Sequence, residues 1–135
     1  MGSQIDWSAL VAQAWAVRQQ AYAPYSKFAV GAALLTDSGD VFTGCNVENA
    51  SFGLTICAER VAVTAAVAAG SRKFAGIALV ADTAEPVLPC GACRQFLAEF
   101  NPQLEIYCSG RDRHQVFVLP DLLPSPFSGL QEGLR

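Results

Sequence analysis

Residues 57–93 read CAERVAVTAAVAAGSRKFAGIALVADTAEPVLPCGAC, and the fold is decided within this stretch. It begins with an Ala-rich segment, residues 57–69, which Gly70 closes at the usual position of a helix stop. The continuous apolar run at residues 77–81 is typical of a strand that is covered on both faces. A loop separates this strand from a second predicted helix at residues 90–100. The stretch therefore predicts a helix–strand–helix unit.

The sequence on either side of this unit predicts one further helix and four further strands. Apolar residues spaced i, i+3, i+4 and i+7 predict an amphipathic helix from residue 7 to residue 22, and residues 3–6 before it have the outline of a capping box. The further strands are predicted at residues 28–35, 41–45, 104–108 and 116–119, and a short terminal piece begins at residue 122. This order predicts one α/β domain over residues 1–135, with a five-stranded sheet and helices on its faces.

The composition disfavours several classes of protein. Apolar residues make up 52% of the chain and charged residues 16%. A monomer of this composition would expose apolar surface to water, which favours an oligomer. The net charge is −3 and the 9 basic residues are scattered, which favours a small-molecule substrate over a nucleic acid. No apolar run reaches the roughly 18 residues of a membrane helix, and the start of the chain lacks the pattern of a signal peptide. We therefore expect a soluble, cytoplasmic protein without nucleic-acid or membrane partners.

The cysteines point to a bound metal rather than to disulfides. They are Cys45, Cys57, Cys90, Cys93 and Cys108, an odd count in a chain without a secretory signal. Cys90 and Cys93 have the i, i+3 spacing of a first helical turn, so both sulfur atoms can point to one spot, and Cys57 at the preceding helix start can supply a third ligand. Cys45 and Cys108 fall at strand ends and are interpreted as small buried residues.

Three cysteine ligands predict a catalytic zinc site, because a tetrahedral zinc ion then keeps one open position. A water bound at that position gives a hydroxide near neutral pH. Glu59 lies two residues from Cys57, close enough to handle protons without binding the metal. Helix N-termini offset part of the thiolate charge, and Arg60 and Arg94 are candidates to hydrogen-bond thiolates and offset more. One zinc ion per subunit is expected.

Five motifs carry a resemblance to a known family. A ligand-x-Glu segment at residues 57–59, followed by Pro-Cys-x-x-Cys at residues 89–93, matches the signature of the zinc nucleobase deaminases. With GCNVENA at residues 44–50, APYSKF at residues 23–28 and VGAALL at residues 30–35, the chain resembles the small, homotetrameric cytidine deaminases of pyrimidine salvage. The resemblance covers nearly the whole chain. It implies a three-layer α-β-α domain of the cytidine-deaminase type, with a central mixed five-stranded sheet.

The resemblance implies roles for five residues and a reaction. Glu59 would shuttle a proton to N3 of the pyrimidine and to the leaving ammonia, while the backbone near Ala58 would read the base. Phe28 would pack against the pyrimidine ring, and Asn46 and Glu48 would bind the ribose 3′-hydroxyl. The implied activity is that of a hydrolase acting on the C–N bond of a cyclic amidine. In the reaction that the resemblance implies, hydroxide generated at the zinc would attack C4 of cytidine or 2′-deoxycytidine and yield uridine or 2′-deoxyuridine and ammonia.

The resemblance also implies a homotetramer. At two positions the sequence departs from residues that are common in the family. Ala50 and Phe127 match positions that reach the active site of a neighbouring subunit, so the implied homotetramer shares its sites. Phe52 stands where relatives often carry tyrosine, which leaves the nucleoside preference open. Cys57 stands where some relatives use histidine, and the single histidine, His114, falls in a predicted polar turn.

Four other hypotheses are compatible with parts of the sequence. The nearest is a deaminase of a cytosine nucleoside antibiotic of the blasticidin S type, which shares the three cysteines but lacks the Asn-x-Glu-Asn and Cys-Ala-Glu-Arg combination found here. Deamination of single-stranded RNA or DNA is disfavoured by the acidic balance. A silent zinc module would have no need of Glu59 and would require a fourth protein ligand, for which the sequence offers no convincing candidate. A thiol-redox protein is the fourth hypothesis, and comparing the zinc content of the purified protein with its number of free thiols would distinguish it from a zinc enzyme.

Overall fold

A computed structural model describes residues 5–129, whose five strands form one mixed sheet. The strands are β1 (Val30–Thr36), β2 (Val41–Cys45), β3 (Phe74–Ala81), β4 (Glu105–Ser109) and β5 (His114–Val118). Their spatial order is β2-β1-β3-β4-β5, in which β3 and β4 are parallel and every other pair of neighbours is antiparallel. Since parallel neighbours need a crossover connection, the chain crosses one face of the sheet between β3 and β4.

Helices cover both faces of the sheet. They are α1 (Trp7–Arg18), α2 (Ala58–Ala68), α3 (Gly91–Phe100) and the short α4 (Leu119–Leu122), with a 3₁₀ turn at Phe52–Leu54. Leu10 and Ala14 of α1 cluster with Ala33 on one face. The other face, with Leu34 and Ile77, forms the larger core together with α2 and α3. Because successive strand residues point to opposite faces, this arrangement has three layers, and the predicted α-β-α fold class is confirmed.

The first helix is shorter than the prediction. The helix ends at Arg18, because the Tyr22 N–H donates to the Asn46 carbonyl at 3.0 Å and Tyr22 pairs with Val47 as an isolated β-bridge. Asp6 is the N-cap, and its carboxylate accepts a hydrogen bond from the Ala9 N–H at 3.2 Å. Residues 3–4 of the predicted capping box lie outside the described residues.

The strands differ from the prediction at their ends. β3 begins at Phe74 rather than residue 77, because its first residues pair with the end of β1, where Phe74 faces Thr36. His114 begins β5 instead of lying in a polar turn, and its ring stacks on Tyr107 with a centroid distance of 4.7 Å. The single domain over residues 1–135 stays a prediction, since the chain ends lie outside the described residues.

Within residues 5–129, no helix combines the length and the apolar character needed to cross a membrane.

Strand directions explain why α2 and α3 start at the same edge of the sheet. Both β2 and β3 are antiparallel to β1, so they run in the same direction and end at the same edge. α2 follows β2 and α3 follows β3 along the chain. Loops that leave strands at one edge bring the next helix starts together there, which is where sites in α/β sheets form.

Gly44 sets the distance between α2 and β2. A Cβ atom at Gly44 would lie 2.5 Å from the Ala58 carbonyl oxygen and 2.5 Å from the Ala62 nitrogen. Both atoms belong to the backbone of α2, which cannot yield as a flexible side chain can. The absence of a side chain at Gly44 therefore fixes the position of the first turn of α2.

We expect Gly44→Ala to lower the free energy of unfolding by about 1–3 kcal/mol, because a methyl group forced against a helix backbone overpacks the core. The midpoint of urea unfolding, followed by circular dichroism, measures this change. Gly53→Ala is the matched control, because a Cβ there meets nothing within 4 Å. Equal midpoints for the two variants would show that α2 does not depend on this close approach.

Candidate active site

The three predicted zinc ligands lie at the N-termini of α2 and α3. Cys57 and Cys90 are the N-caps of these helices, and Cys93 lies in the first turn of α3. Their Sγ atoms all lie within 4.8 Å of one another, with 4.0 Å between Cys57 Sγ and Cys90 Sγ. Tetrahedral zinc with Zn–S bonds of about 2.3 Å requires sulfur atoms about 3.8 Å apart. The trio therefore fits zinc, and three thiolates favour zinc over the oxygen-seeking ions magnesium and calcium.

The surroundings of the trio favour a thiolate at Cys57. Cys57 is the N-cap of α2, where the helix dipole favours negative charge. A hydrogen bond with the Cys93 thiol, helped by Arg60, lowers the pKa of Cys57 to about 5 despite partial burial. The same shared proton, together with burial, raises the pKa of Cys93. The first proton therefore leaves from Cys57, and binding of a dication favours loss of the others.

The two arginines near the trio have different positions. Arg60 donates from Nη2 to Cys57 Sγ at 3.5 Å, and its Nε is buried without a hydrogen-bond partner among the described residues. This contact supports the prediction that Arg60 offsets thiolate charge. Arg94 instead donates from Nε to the Pro89 carbonyl at 2.8 Å and from Nη1 to the Leu122 carbonyl at 3.0 Å. Arg94 therefore ties the loop before α3 to α4, and these contacts do not support its predicted thiolate bond.

Glu59 lies in the first turn of α2 and is 5% exposed. Burial raises the pKa of Glu59 to about 7, and the negative charge of Cys57 acts in the same direction. A carboxyl group whose pKa lies near the working pH can both accept and release a proton. Its position and its environment therefore suit the predicted role of proton shuttle.

A cavity of about 210 Å³ opens beside Glu59. Six of the predicted site residues line it: Phe28, Asn46, Cys57, Ala58, Glu59 and Cys90. The volume lies below the roughly 300–1,000 Å³ of sites for drug-sized ligands. It therefore suits one small ring, with the remainder of the ligand outside.

The sequence analysis missed five residues that line this cavity. They are Val30, Thr55, Leu79, Val87 and Leu88. Val87 and Leu88 directly precede the Pro-Cys-x-x-Cys motif, and this position next to two predicted zinc ligands could have identified them as site residues. Val30 and Leu79 are apolar strand residues, which nothing in the sequence distinguishes from the core.

A second cavity, of about 320 Å³, adjoins the first. It is lined by Tyr25, Ser26, Glu48, Phe52 and Thr55, and Thr55 lines both cavities. The first cavity thus has an apolar wall together with Cys57, Cys90 and Glu59, and the second has the Glu48 carboxylate. The pair suits a ligand with a planar ring at one end and a hydroxyl-bearing group at the other.

Asn46 and Glu48 are both held by backbone contacts. Asn46 accepts from the Val30 N–H at 2.9 Å and donates to the Phe28 carbonyl at 2.8 Å, which leaves one N–H and one lone pair of its amide for a ligand. Glu48 accepts hydrogen bonds from the turn at residues 25–26. The Ser26 hydroxyl, followed by the backbone N–H groups, lowers the pKa of Glu48, so the carboxylate stays ionised.

The residues predicted to reach a neighbouring subunit lie outside both cavities. Ala50 is exposed, and Phe127 is 68% exposed. The backbone of Phe127 is nevertheless fixed, because its N–H donates to Gln95 Oε1 at 3.1 Å and Gln95 Nε2 donates to its carbonyl at 2.9 Å. α3 therefore holds an aromatic ring that projects away from this chain.

Comparisons with known proteins point to one family. A model of the cytidine and deoxycytidylate deaminase zinc-binding region matches residues 5–109. A cytidine deaminase from Sporosarcina psychrophila is 47% identical over 126 residues, which cover 92% of this chain and 93% of that protein. The crystal structure of cytidine deaminase from Burkholderia pseudomallei matches with a TM-score of 0.88 and 51% identity, covering 91% of this chain and 100% of that one. For the enzyme from Mycobacterium tuberculosis the TM-score is 0.81 at 44% identity, with 93% and 99% coverage. Together with the cysteine trio, the zinc-binding family confirms zinc as the cofactor.

We expect a serine at Cys57, Cys90 or Cys93 to reduce bound zinc from about one ion per chain to a small fraction, because the thiolate is the ligand. Metal analysis after gel filtration measures the content. Cys45→Ser is the matched control, since burial raises the pKa of Cys45 and this thiol lies outside the trio. Full zinc content in any of the three variants would remove that residue from the ligand set.

Proposed function

The chain belongs to the cytidine and deoxycytidylate deaminase family, and on this premise we propose that it hydrolyses cytidine and 2′-deoxycytidine to uridine and 2′-deoxyuridine with release of ammonia. The observation that carries this proposal is a buried carboxyl group, Glu59, beside three cysteines that fit zinc, on the wall of one cavity. Such a reaction belongs to pyrimidine salvage.

The chain's residues hold the base at the metal. Zinc, when bound by the trio, lowers the pKa of a water molecule and supplies a nucleophile for C4. Phe28 and Leu79 line the same cavity and offer apolar contact to a pyrimidine ring. The backbone at Ala58, in the first turn of α2, lies beside them and can read the polar edge of the base. These contacts orient C4 toward the metal ligands.

Glu59 moves the protons of the reaction. Its carboxylate accepts a proton from the attacking water and delivers it to N3 of the ring, which makes C4 more electrophilic. A second transfer takes the proton of the new hydroxyl group to the amine, which then leaves as ammonia. Water is consumed and one C–N bond is exchanged for a C–O bond. Burial of Glu59 keeps bulk water from competing for these protons.

The polar end of the nucleoside occupies the second cavity. Glu48 from this cavity, and the free N–H and lone pair of the Asn46 amide from the first cavity, bind the ribose 3′-hydroxyl in this proposal. Both side chains are already oriented by the backbone contacts described above, so little conformational entropy is lost on binding. The 2′-position has no assigned partner here, which is consistent with use of both ribo- and deoxyribonucleosides.

We further propose a homotetramer with shared active sites in the cytoplasm. Exposed apolar side chains gather around the second cavity, among them Tyr25, Phe52 and Leu54, and exposed patches of this kind mark interfaces. Ala50 and the ring of Phe127 would complete a neighbour's site, and the Gln95 contacts support this by fixing the Phe127 backbone. The trio must stay reduced to bind zinc, which suits a reducing compartment.

Glu59→Gln is expected to lower kcat by about 10²–10⁴-fold, because an amide cannot carry the proton between water, N3 and the amine. The loss of cytidine absorbance on addition of purified protein measures the rate. Zinc content should match the parent, since Glu59 is outside the ligand trio. Glu99→Gln, at an exposed carboxylate of α3, is the control and should retain full activity. A zinc-loaded Glu59→Gln enzyme with parental kcat would exclude the proposed shuttle.

The proposed assembly predicts a mass of about 57 kDa in light scattering, four times the chain mass of 14.3 kDa. It also predicts complementation between two impaired variants. Phe127→Ala lacks the shared ring and Glu59→Gln lacks the shuttle, so each homotetramer has low activity. Co-expressed chains with different tags form mixed tetramers in which some sites combine Glu59 from one chain with Phe127 from the other. Activity in doubly tagged material that exceeds both parents is expected, and a monomer or a merely additive rate would contradict the shared site.

A further inference from the structure

The turn at residues 25–28 contains a residue in an uncommon backbone conformation. Lys27 has φ 61°, in the left-handed region that residues other than glycine rarely adopt, and such positions cluster at functional sites. Its neighbours lie on the border of the two cavities, because Ser26 lines the second cavity and Phe28 lines the first. The turn therefore connects the proposed contacts to the ribose and to the ring.

The hydroxyl group of Ser26, the residue before Lys27, makes two hydrogen bonds at this turn. Ser26 Oγ accepts a hydrogen bond from the Phe28 N–H at 3.0 Å. The same hydroxyl donates to Glu48 Oε2. Ser26 is therefore bonded to the residue proposed to pack on the pyrimidine and to the residue proposed to bind the ribose.

The hydrogen bonds of Glu48 can be counted against its capacity. An ionised carboxylate has about four acceptor sites, two on each oxygen. Oε1 accepts from the Tyr25 N–H at 3.0 Å and from the Ser26 N–H at 3.1 Å, so both of its sites are used. Oε2 accepts from the Ser26 hydroxyl, which uses a third site. One acceptor site remains, and it is on Oε2.

We propose that Ser26 is a positioning residue for nucleoside specificity: by occupying one site of Glu48 Oε2, its hydroxyl leaves a single oriented acceptor for the ribose 3′-hydroxyl. Loss of the Ser26 hydroxyl leaves two free sites on Oε2 and removes one of the three hydrogen bonds that restrain the carboxylate, so that only the two backbone N–H groups at Oε1 still orient it. The inference rests on the proposed function, because Glu48 must be the ribose contact for Ser26 to act through it.

The test compares kcat/KM for cytidine and 3′-deoxycytidine, which differ only in the 3′-hydroxyl group. Ser26→Ala should lower kcat/KM for cytidine about tenfold, mainly through a higher KM, since the charge-assisted contact from Glu48 to substrate loses its fixed orientation in ground and transition states alike. For 3′-deoxycytidine the loss should be under about twofold, because this substrate never makes the contact. Ser26→Cys, whose thiol is a weaker donor, should fall between the parent and Ser26→Ala.

The ratio of the two kcat/KM values is the decisive quantity. It does not depend on the concentration of active enzyme, so partial unfolding of a variant leaves it unchanged. Ser38→Ala is the matched control: the Ser38 hydroxyl bonds Thr36 Oγ1 at 3.0 Å and Asp40 Oδ2 at 3.3 Å in the turn between β1 and β2, far along β1 from Phe28. This control should keep the parental ratio.

Each outcome decides between the proposals. A ratio that moves toward one in Ser26→Ala, is intermediate in Ser26→Cys and is parental in Ser38→Ala supports the inference. A parental ratio in Ser26→Ala, with or without an equal fall for both substrates, overturns it and leaves Ser26 a purely structural residue. If the parent itself treats both substrates alike, the Glu48–ribose contact fails and Ser26 fails with it, while deamination stands. A parent that deaminates none of cytidine, 3′-deoxycytidine and 2′-deoxycytidine overturns the proposed function itself.

Discussion

The convergence of two helix N-termini at one edge of the sheet is the constraint on which the rest of the structure depends. It places Cys57, Cys90 and Cys93 around one point and puts Glu59 beside them in the first turn of α2. This concentrates negative charge, because zinc with three thiolates carries a net charge of minus one and Glu59 adds another when ionised. Each helix N-terminus contributes about half a positive charge, and Arg60 supplies a full one at 3.5 Å from Cys57 Sγ. The site is therefore close to neutral only because both helices begin there.

Several polar residues of the site also stabilise the fold. The Asn46 side chain binds the backbone on either side of Ala29, at the start of β1, and the Glu48 carboxylate binds the turn at residues 25–26. Removal of either side chain would leave backbone groups unpaired as well as removing a proposed contact to substrate. The effect of such a change on activity combines two causes, and substrates that lack one hydroxyl group separate them. A site whose side chains are held before the ligand arrives also loses less entropy on binding.

Each helix start of the metal half was predictable because its residues are close along the chain, whereas the meeting of Cys57 with Cys90, 33 residues apart, was predicted from the deaminase signature. Cys90 and Cys93 share one helical turn, and Glu59 is two residues from Cys57, so the local helix geometry sets these distances. The remaining parts depend on tertiary contacts. Thr55 and Leu79 line the cavity because β3 and the loop before α2 meet there. The spacing of apolar residues in the sequence does not indicate which elements come into contact. The polar turn predicted at Gly110 is present between β4 and β5, but the prediction that His114 lies in it was wrong, because this residue begins β5 and its ring stacks on Tyr107.

The exposed surroundings of the site bear on the proposed assembly. Proton transfers between a water molecule, a carboxylate and a ring nitrogen require a site from which bulk water is excluded, because charges interact far more strongly there. In a single chain, Glu59 is buried but Cys90 is exposed and Phe28 is 39% exposed, so the cavity is open to solvent at these two residues. Exposed apolar side chains also line the adjoining second cavity, Phe52 at 73% exposure among them. A neighbouring subunit laid over these side chains would bury apolar surface and close the cavity in one step, which gives the proposed tetramer a role in the chemistry as well as in stability.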